Sequence, residues 1–432
     1  MSITDPEQTI EPKPKERSLW YNGDFLKFWL GETVSLLGTQ VTILALPLTA
    51  IYSLNATDSQ VGVLRFVQLA PYLGLALLLG IWVDRVRRRQ VMLWANFARM
   101  VLIGLIPLLY ATDLLTIPAL LVIACLIGVA SVLFDLSWMS YVPTLVKKPE
   151  HYVEASAKMG ISSSTADVAG PGLAGLVVAW LTAPVALVVQ TGTYLVSIVS
   201  LLLIRVEEPK PPKAEDRHAF RELKEGVRWV FGKPLLRWLA IIGFCCNFSM
   251  ITTWTMFLLY GTRTLGLDST TLGLIFGTAS VGGLIGAVVS RRVIGRFPTG
   301  PTYFIAQSGL LLGPLLIVLA GGPKPLMIGM FIASFFTTYL GLGIAGVIIV
   351  AVRQTLTPQS MMGRMTASFR TLLFGGGALG GLAAGLLSDA IGPRNALIAA
   401  AAASALVIVG LVISPVSRLR EMPEPVVEPT AA

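Results

Sequence analysis

The chain has 432 residues, of which 54% are hydrophobic and only 13% are charged, against about 25% charged in an ordinary soluble domain. So little charge cannot cover a soluble globule, and the composition is that of a polytopic membrane protein. A net charge of +9 does not point to nucleic acid, because the basic residues fall in short loops between apolar spans.

The first residues, up to Tyr21, are polar and Pro-containing, without the basic-then-apolar order of a signal peptide. Insertion is expected to begin at the first true span. At about 20 apolar residues per crossing, twelve spans are expected, roughly at 26–53, 60–83, 91–111, 117–142, 157–182, 184–205, 237–262, 271–294, 302–321, 325–351, 364–388 and 394–415. Lys and Arg alternate with these spans. One side carries Arg85, Arg87, Arg88 and Arg89, then Lys147 and Lys148. It also carries Lys210, Lys213, Arg217, Arg221, Lys224, Arg228 and Lys233, then Arg291, Arg292 and Arg296, Arg353 and Arg364, and Arg418 and Arg420. The other side has Arg263, Lys324 and Arg394. This bias places both termini in the cytoplasm. The expected layout is a tail (1–24), a six-helix bundle (25–206), a linker (207–235), a second six-helix bundle (236–416) and a tail (417–432).

The two bundles carry a repeat. "GPGLAG" from Gly170 matches "GGALGG" from Gly376, 206 positions on, and Gly80 and Arg85 fall on Gly286 and Arg291 at the same separation. Asp84 then falls on Ser290. "DSQVGVL" from Asp58 resembles "DSTTLGLI" from Asp268 in a shifted register. Two matches at one separation, around a polar linker, predict two six-span halves of parallel topology.

"GIWVDRVRRR", running from Gly80 to Arg89 after the second span, resembles the major facilitator superfamily signature G-x-L-x-D-R-x-G-R-R/K. Gly80, Asp84, Arg85, Arg88 and Arg89 match, while Trp82 and Arg87 replace the usual Leu and Gly. "FRELKEGVRWVFGKPLLRWL" and "FWLGETVSLLGTQVTILALPL" are similar to the macrolide-efflux and enterobactin-exporter branch, which often has Asp where Thr39 stands. The resemblance implies an all-α membrane protein, with twelve transmembrane helices in two six-helix pseudo-repeats. It also implies alternating access, with Asp84 helping to latch the cytoplasmic side against its own half and the end of span eleven. "GPGLAG" formally fits a dinucleotide fingerprint, but it lies within an apolar span and contains Pro171. It is closer to the family's antiporter signature G-P-x-x-G-G. "GVRWVFGKP" falls one residue out of P-loop spacing, with Pro234 where a Ser or Thr would bind magnesium. Cys125, Cys245 and Cys246 lie in apolar spans without metal-ligand spacing. No cofactor, metal or catalytic group is expected, and the chain is not read as an enzyme.

Charges inside spans are expensive, roughly 2.5–3.5 kcal/mol each at a helix centre on insertion scales, so they mark cavities or partners. They are Glu32, Arg65, Arg99, Asp135, Asp167 and Arg370, with Asp389 at a span end. His151 and His218 fall in loops, so proton coupling would need a carboxylate. Glu32, Asp135 and Asp167 are the candidates, and a permanent ion pair with Arg65 or Arg99 is the alternative for each. In the resembling family spans one, four, seven and ten line the cavity. Helical spacing there offers Ser35 and Thr39 beside Glu32, Trp138 beside Asp135, the set Asn247, Met250 and Trp254, and the set Phe331, Phe335 and Thr338. Small residues mark close helix contacts. In the resembling family spans five and eight, and spans two and eleven, meet across the halves, so Gly170, Pro171, Gly175, Gly282, Gly286, Gly376 and Gly380 are expected at those contacts. Residues 214–233 are expected to form an amphipathic helix with Phe220, Leu223 and Val227 on one face.

These readings lead to a monomeric secondary exporter of drug-like or siderophore-like amphipathic small molecules in the inner (plasma) membrane. It would exchange them for protons, touch membrane lipids and bind no nucleic acid. A lipid or metabolite transporter of the same fold is the alternative, and a non-transporting receptor or scaffold is the alternative of another class.

Overall fold

The computed structural model describes residues 19–146, 149–208 and 219–424. Lys147, Lys148, Lys210, Lys213, Arg217 and His218 lie outside the described residues, as do the side chains of Asp84 and Phe220. Among the described residues there is no strand.

The helices are α1 (Gly23–Leu48), α2 (Asp58–Asp84), α3 (Arg88–Ala111), α4 (Ile117–Leu145), α5 (Pro149–Leu181), α6 (Ala183–Leu202), α7 (Ala219–Gly232), α8 (Pro234–Leu259), α9 (Ser269–Ile294), α10 (Thr299–Val318), α11 (Lys324–Thr355), α12 (Met362–Ile391) and α13 (Pro393–Ile413). Eleven of those described are long and apolar enough to cross a membrane. With α2, of 27 residues, they make twelve long helices, and the 14-residue α7 lies between the sixth and seventh. Helix starts follow local chemistry. Asn22 caps α1, Thr57 and Gln60 form a reciprocal capping box on α2, and Asp268 caps α9. Helices also outrun their apolar stretches. α5 begins at Pro149, well before its apolar run, because backbone hydrogen bonding continues where lipid contact stops.

The halves, α1–α6 and α8–α13, pack alike. α1 touches α5 and α6 as α8 touches α12 and α13, and α2 lies on α4 as α9 lies on α11. α1 and α8 each run on into a π-helical turn, Thr49–Ser53 and Tyr260–Thr264. The left-handed residues fix the register. Asn55, Asp113 and Thr182 in the first half answer Gly266, Gly322 and Gly392 in the second, at separations of 211, 209 and 210 positions. The structural repeat is therefore about one helical turn longer than the 206 of the glycine match. Small residues recur at turn spacing on these helices, so a slip of one turn still aligns glycines. The helix ends, with C-caps at Arg85 and Gly295, set Asp84 opposite Ile294 instead of Ser290. In either register the acid stands in one copy.

One end of the bundle, hereafter the basic end, carries most of the loop Arg and Lys; the other is the far end. α7 lies at the basic end against α12 and α8 and also touches α2. Glu225 pairs with Arg364 of α12 at 2.8 Å, Gly226 sits on the α12 backbone at Arg364, and Val230 is fully buried. The helix is amphipathic, and Val227, expected on its apolar face with Phe220 and Leu223, is exposed. Gly226 permits the close approach and so turns the Gly226–Val230 face inward.

Candidate functional site: a cavity between the halves

A cavity of about 610 Å³ lies among α1, α4, α5 and α12. Glu32, Asp135, Trp138, Tyr152 and Arg370 line it, and it reaches Val142 and Pro143 near the basic end of α4. Asp135 is held from two directions. Tyr72 of α2 donates its hydroxyl to Oδ2 at 2.7 Å, and Arg370 of α12 reaches the same oxygen at 3.7 Å. Tyr72 stacks on Phe374, one turn beyond Arg370, with ring centroids 4.2 Å apart. An ion pair therefore bridges the halves inside the cavity. Arg370 also borders a smaller cavity of about 300 Å³ reaching Met362 and Gly363, at the basic end of α12.

Glu32 is different. It is only 8% exposed, and its Oε2 is buried without a hydrogen-bond partner. The Trp138 indole Nε1 is likewise unpartnered. Asp167 lines a third cavity, of about 410 Å³, with Gln40, Trp254, Ser280 and Tyr339, and accepts a bond from Gln40 Nε2 at 2.9 Å.

Among the described residues no ion-pair contact joins Arg65 or Arg99 to Glu32, Asp135 or Asp167, the alternative to proton coupling. Arg65 lies over the Trp254 ring, 5.2 Å from its centroid, and donates to Gln68 at 3.3 Å. Arg99 is wedged between Phe134 and Tyr194, at 4.1 and 4.7 Å, and donates to Asn96. Aromatic faces lie against both cations. The partner supplied by the fold is Arg370. The same rule of charge within a span had marked it, but sequence gives no sign that it meets Asp135. Nothing in the sequence marked Tyr72.

The expected lining faces divide. Trp138 and Trp254 do border cavities. Phe331 and Phe335 instead pack on Phe257 with centroids 5.0 Å apart. Thr338 is buried, bonded to the Ser334 carbonyl at 2.9 Å, and Ser35 is buried in α1. Asn247 lies against Gly377 of α12, and Met250 is half-buried on α8. Periodicity identified a face without identifying the neighbour it meets.

The glycines divide too. The halves meet along α2–α12 and α5–α9. A methyl group on Gly175 would lie 2.9 Å from the Gly273 Cα, and one on Gly62 would lie 2.7 Å from the Gly385 Cα. The Pro171 carbonyl belongs to the α5–α9 crossing. Gly170, by contrast, faces Gln40 within the first half. Gly282 and Gly286 face α11, and Gly376 and Gly380 face α8, all within the second half. Small residues permit close approach on any face, so these five serve packing inside a half.

Both crossings sit toward the far end, where polar contacts join them. Arg263 pairs with the buried Asp58 at 2.6 Å and also bonds the Ala56 carbonyl. Ser388 donates to Asp58. Asp389 accepts from the Asp58 and Ser59 amides at 3.1 and 3.0 Å, capping α2 from the opposite half. These charges could not be grouped from sequence, since residues at span ends look like ordinary loop charges.

The contacts of Arg88 and Arg89 in the loop signature lie within the first half, and the Asp84 latch expected there falls outside the described side chains. Glu208 accepts from the Arg88 and Arg89 amides at 2.7 and 3.0 Å, and Arg89 donates to the Leu201 and Leu202 carbonyls at the end of α6. Arg85 is exposed, and nothing approaches the place a Gly80 methyl would occupy. Among the described side chains of the signature, none bonds to α12.

Two membrane-embedded halves, sealed at one end around a cavity that holds ionisable groups, have the anatomy of a carrier. The sequence pattern of the Major Facilitator Superfamily matches residues 28–381 and, overlapping it, 263–428. The multidrug efflux pump Tap of Mycolicibacterium fortuitum is 27% identical over 404 residues, spanning 89% of this chain and 93% of Tap. The enterobactin exporter EntS of Salmonella typhi is 26% identical over 360 residues, spanning 80% and 81%. Among solved structures, the nucleoside transporter NupG superposes with a TM-score of 0.74 at 11% identity, covering 90% of this chain and 98% of NupG. The chain belongs to the Major Facilitator Superfamily and is a multi-span membrane transporter of small molecules, not an enzyme.

Proposed function

We propose that this protein exports amphipathic small molecules, drug-like or siderophore-like, from the cytoplasm by alternating access in exchange for protons. The observation that carries this reading is the 610 Å³ cavity, walled by α1, α4 and α5 of the first half and by Arg370 of the second. It is large enough for a drug-sized ligand, its walls mix aromatic and ionisable groups, and it reaches the basic end while the far end is sealed. The Lys and Arg bias assigns the basic end and both termini to the cytoplasm of a cell with this protein in its inner (plasma) membrane. The described conformation is then the one that loads substrate from inside. The names of Tap and EntS support efflux. Glu32, Asp135 and Asp167 are the proton carriers in this reading. Asp135 shares its partners between the halves, through Tyr72 on one side and Arg370 on the other. A carboxylate binds its proton differently with and without a cation beside it, so relative motion of the halves would couple to protonation. The protein works as a monomer, with lipid around its long helices.

The test is flux in proteoliposomes under an imposed pH gradient, with a panel of cationic, neutral and anionic amphipaths. The expected result is substrate-dependent proton movement, lost in Asp135→Asn at normal membrane abundance. Absence of flux and of proton movement across the whole panel would refute the transport cycle. Undiminished coupling in Asp135→Asn would move the proton to Glu32 or Asp167.

A further inference from the structure

We infer that α7 is a lipid-binding element. Its exposed face docks on anionic phospholipid headgroups of the bilayer leaflet at the basic end, with Lys224 and Arg228 taking the headgroup charge and Val227 and Phe231 entering the acyl boundary. That face borders none of the cavities described above and owes nothing to what they carry.

The seat of α7 is on the outside of the bundle. Gly226 packs on the Arg364 carbonyl and the Ser368 hydroxyl of α12. Leu379 and Leu386 lie on the same face of α12 as Ser368, about three and five turns further on, and they are 43% and 52% exposed. On a helix that crosses a bilayer, such leucines face acyl chains. α12 begins at Met362, so α7 rests on its lipid-facing side at the level where it leaves the membrane. The seat is fixed. Glu225 pairs with Arg364 at 2.8 Å, Val230 is fully buried, and Lys233 donates to the Leu356 carbonyl at 3.0 Å.

Two strips remain uncovered. At about 100° per residue, Gly226, Val230 and Lys233 form the inner strip. Beside it, Val227 and Phe231 stand one turn apart, 36% and 38% exposed. Beyond them come Lys224, Arg228 and Arg221, all exposed. Arg221 shares Glu225 at 3.2 Å. Among the described residues Lys224 and Arg228 form no ion pair or hydrogen bond. An apolar strip beside a cationic one, on the lipid side of a bundle, is the pattern of a helix lying in the membrane interface. Water would leave Val227 and Phe231 without a purpose, and acyl chains alone would leave the two cations without one. Each Lys or Arg at an anionic surface favours it about fivefold.

The test uses the full chain in nanodiscs that contain phosphatidylglycerol carrying a diazirine or, in a matched set, phosphatidylcholine carrying the same group. Lipid adducts are mapped by mass spectrometry. Adducts on α7 are expected about fivefold more often, or better, with the phosphatidylglycerol probe. Lys224→Gln combined with Arg228→Gln should bring the two probes close to equality, whereas Lys224→Arg combined with Arg228→Lys should keep the preference. Phe231→Ser should lower α7 adducts from both probes several-fold and leave their ratio unchanged. Equal labelling of wild-type α7 by the two probes would overturn the inference whatever the variants do. So would an undiminished preference in the double glutamine variant. A wild-type α7 free of adducts from either lipid would overturn it too, and would give that face to water or to a soluble partner.

Discussion

The two crossings between the halves are one construction used twice, and their chemistry differs. At α2–α12, Gly62 meets Gly385; at α5–α9, Gly273 meets Gly175. The pseudo-symmetry extends to the reaching side chains. Arg263 of the second half bonds the Ala56 carbonyl of the first, and Tyr52 of the first bonds the Leu267 carbonyl of the second at 3.2 Å. Beyond that the copies part. The α2–α12 crossing adds Asp58, Ser388 and Asp389. The positions equivalent to Ser388 and Asp389 at α5–α9 are Val178 and Ala179. Close backbone approach is thus the shared requirement, and charge is an addition to one side. The α2–α12 seam carries the directional, breakable contacts, and the α5–α9 seam is a smoother bearing.

That contrast can be broken in three places. The largest effect is expected at the glycines both crossings share. Gly62→Leu and Gly175→Leu each force side-chain atoms into the partner backbone, and overpacking of this kind should cost the sealed far end about 3 kcal/mol or more. Spin-label distances across the far end should lengthen in both variants, and transport should stop while insertion stays normal. A response from only one would mean that the seams are not equivalent even in packing. A middle effect is expected from Asp58→Asn, which removes the charge facing Arg263. A lost charge-assisted bond is worth about 1.5–3 kcal/mol, so the open far-end population should rise roughly 10- to 150-fold. The same spin-label pair measures it. The smallest is Tyr52→Phe, which removes one neutral hydrogen bond worth about 0.5–1.5 kcal/mol. Equal shifts from Asp58→Asn and Tyr52→Phe would erase the distinction between a charged seam and a smooth one.

Much of this architecture was legible in the sequence because lipid imposes a simple rule. A crossing helix needs a long apolar run, and an ionisable group inside that run needs a reason to be there. That rule located the long helices and also Glu32, Asp135 and Asp167 at cavities. It did not locate their partners. Tyr72 is 63 positions from Asp135, and Arg370 lies in the other half, so pairing them requires the tertiary arrangement. The glycines were legible as sites of close approach, but not as to which helix approaches. Gly282 and Gly175 read alike in sequence, yet one faces α11 and the other faces α9 across the halves. The aromatic run at Phe331 and Phe335 carried the same ambiguity, because packing and ligand contact share one periodicity.

The cap that Asp389 places on α2 has a consequence for how the chain is made. The capping box of Thr57 and Gln60 serves the Gln60 amide, whereas the Asp58 and Ser59 amides wait for Asp389. That acid is 330 positions further along the chain. During synthesis α2 is therefore complete while the residue that finishes its first turn does not yet exist. Until α12 is made, those two amides must be served by water or by a passing headgroup. The far-end seal closes last, and it records that the second half has arrived and docked.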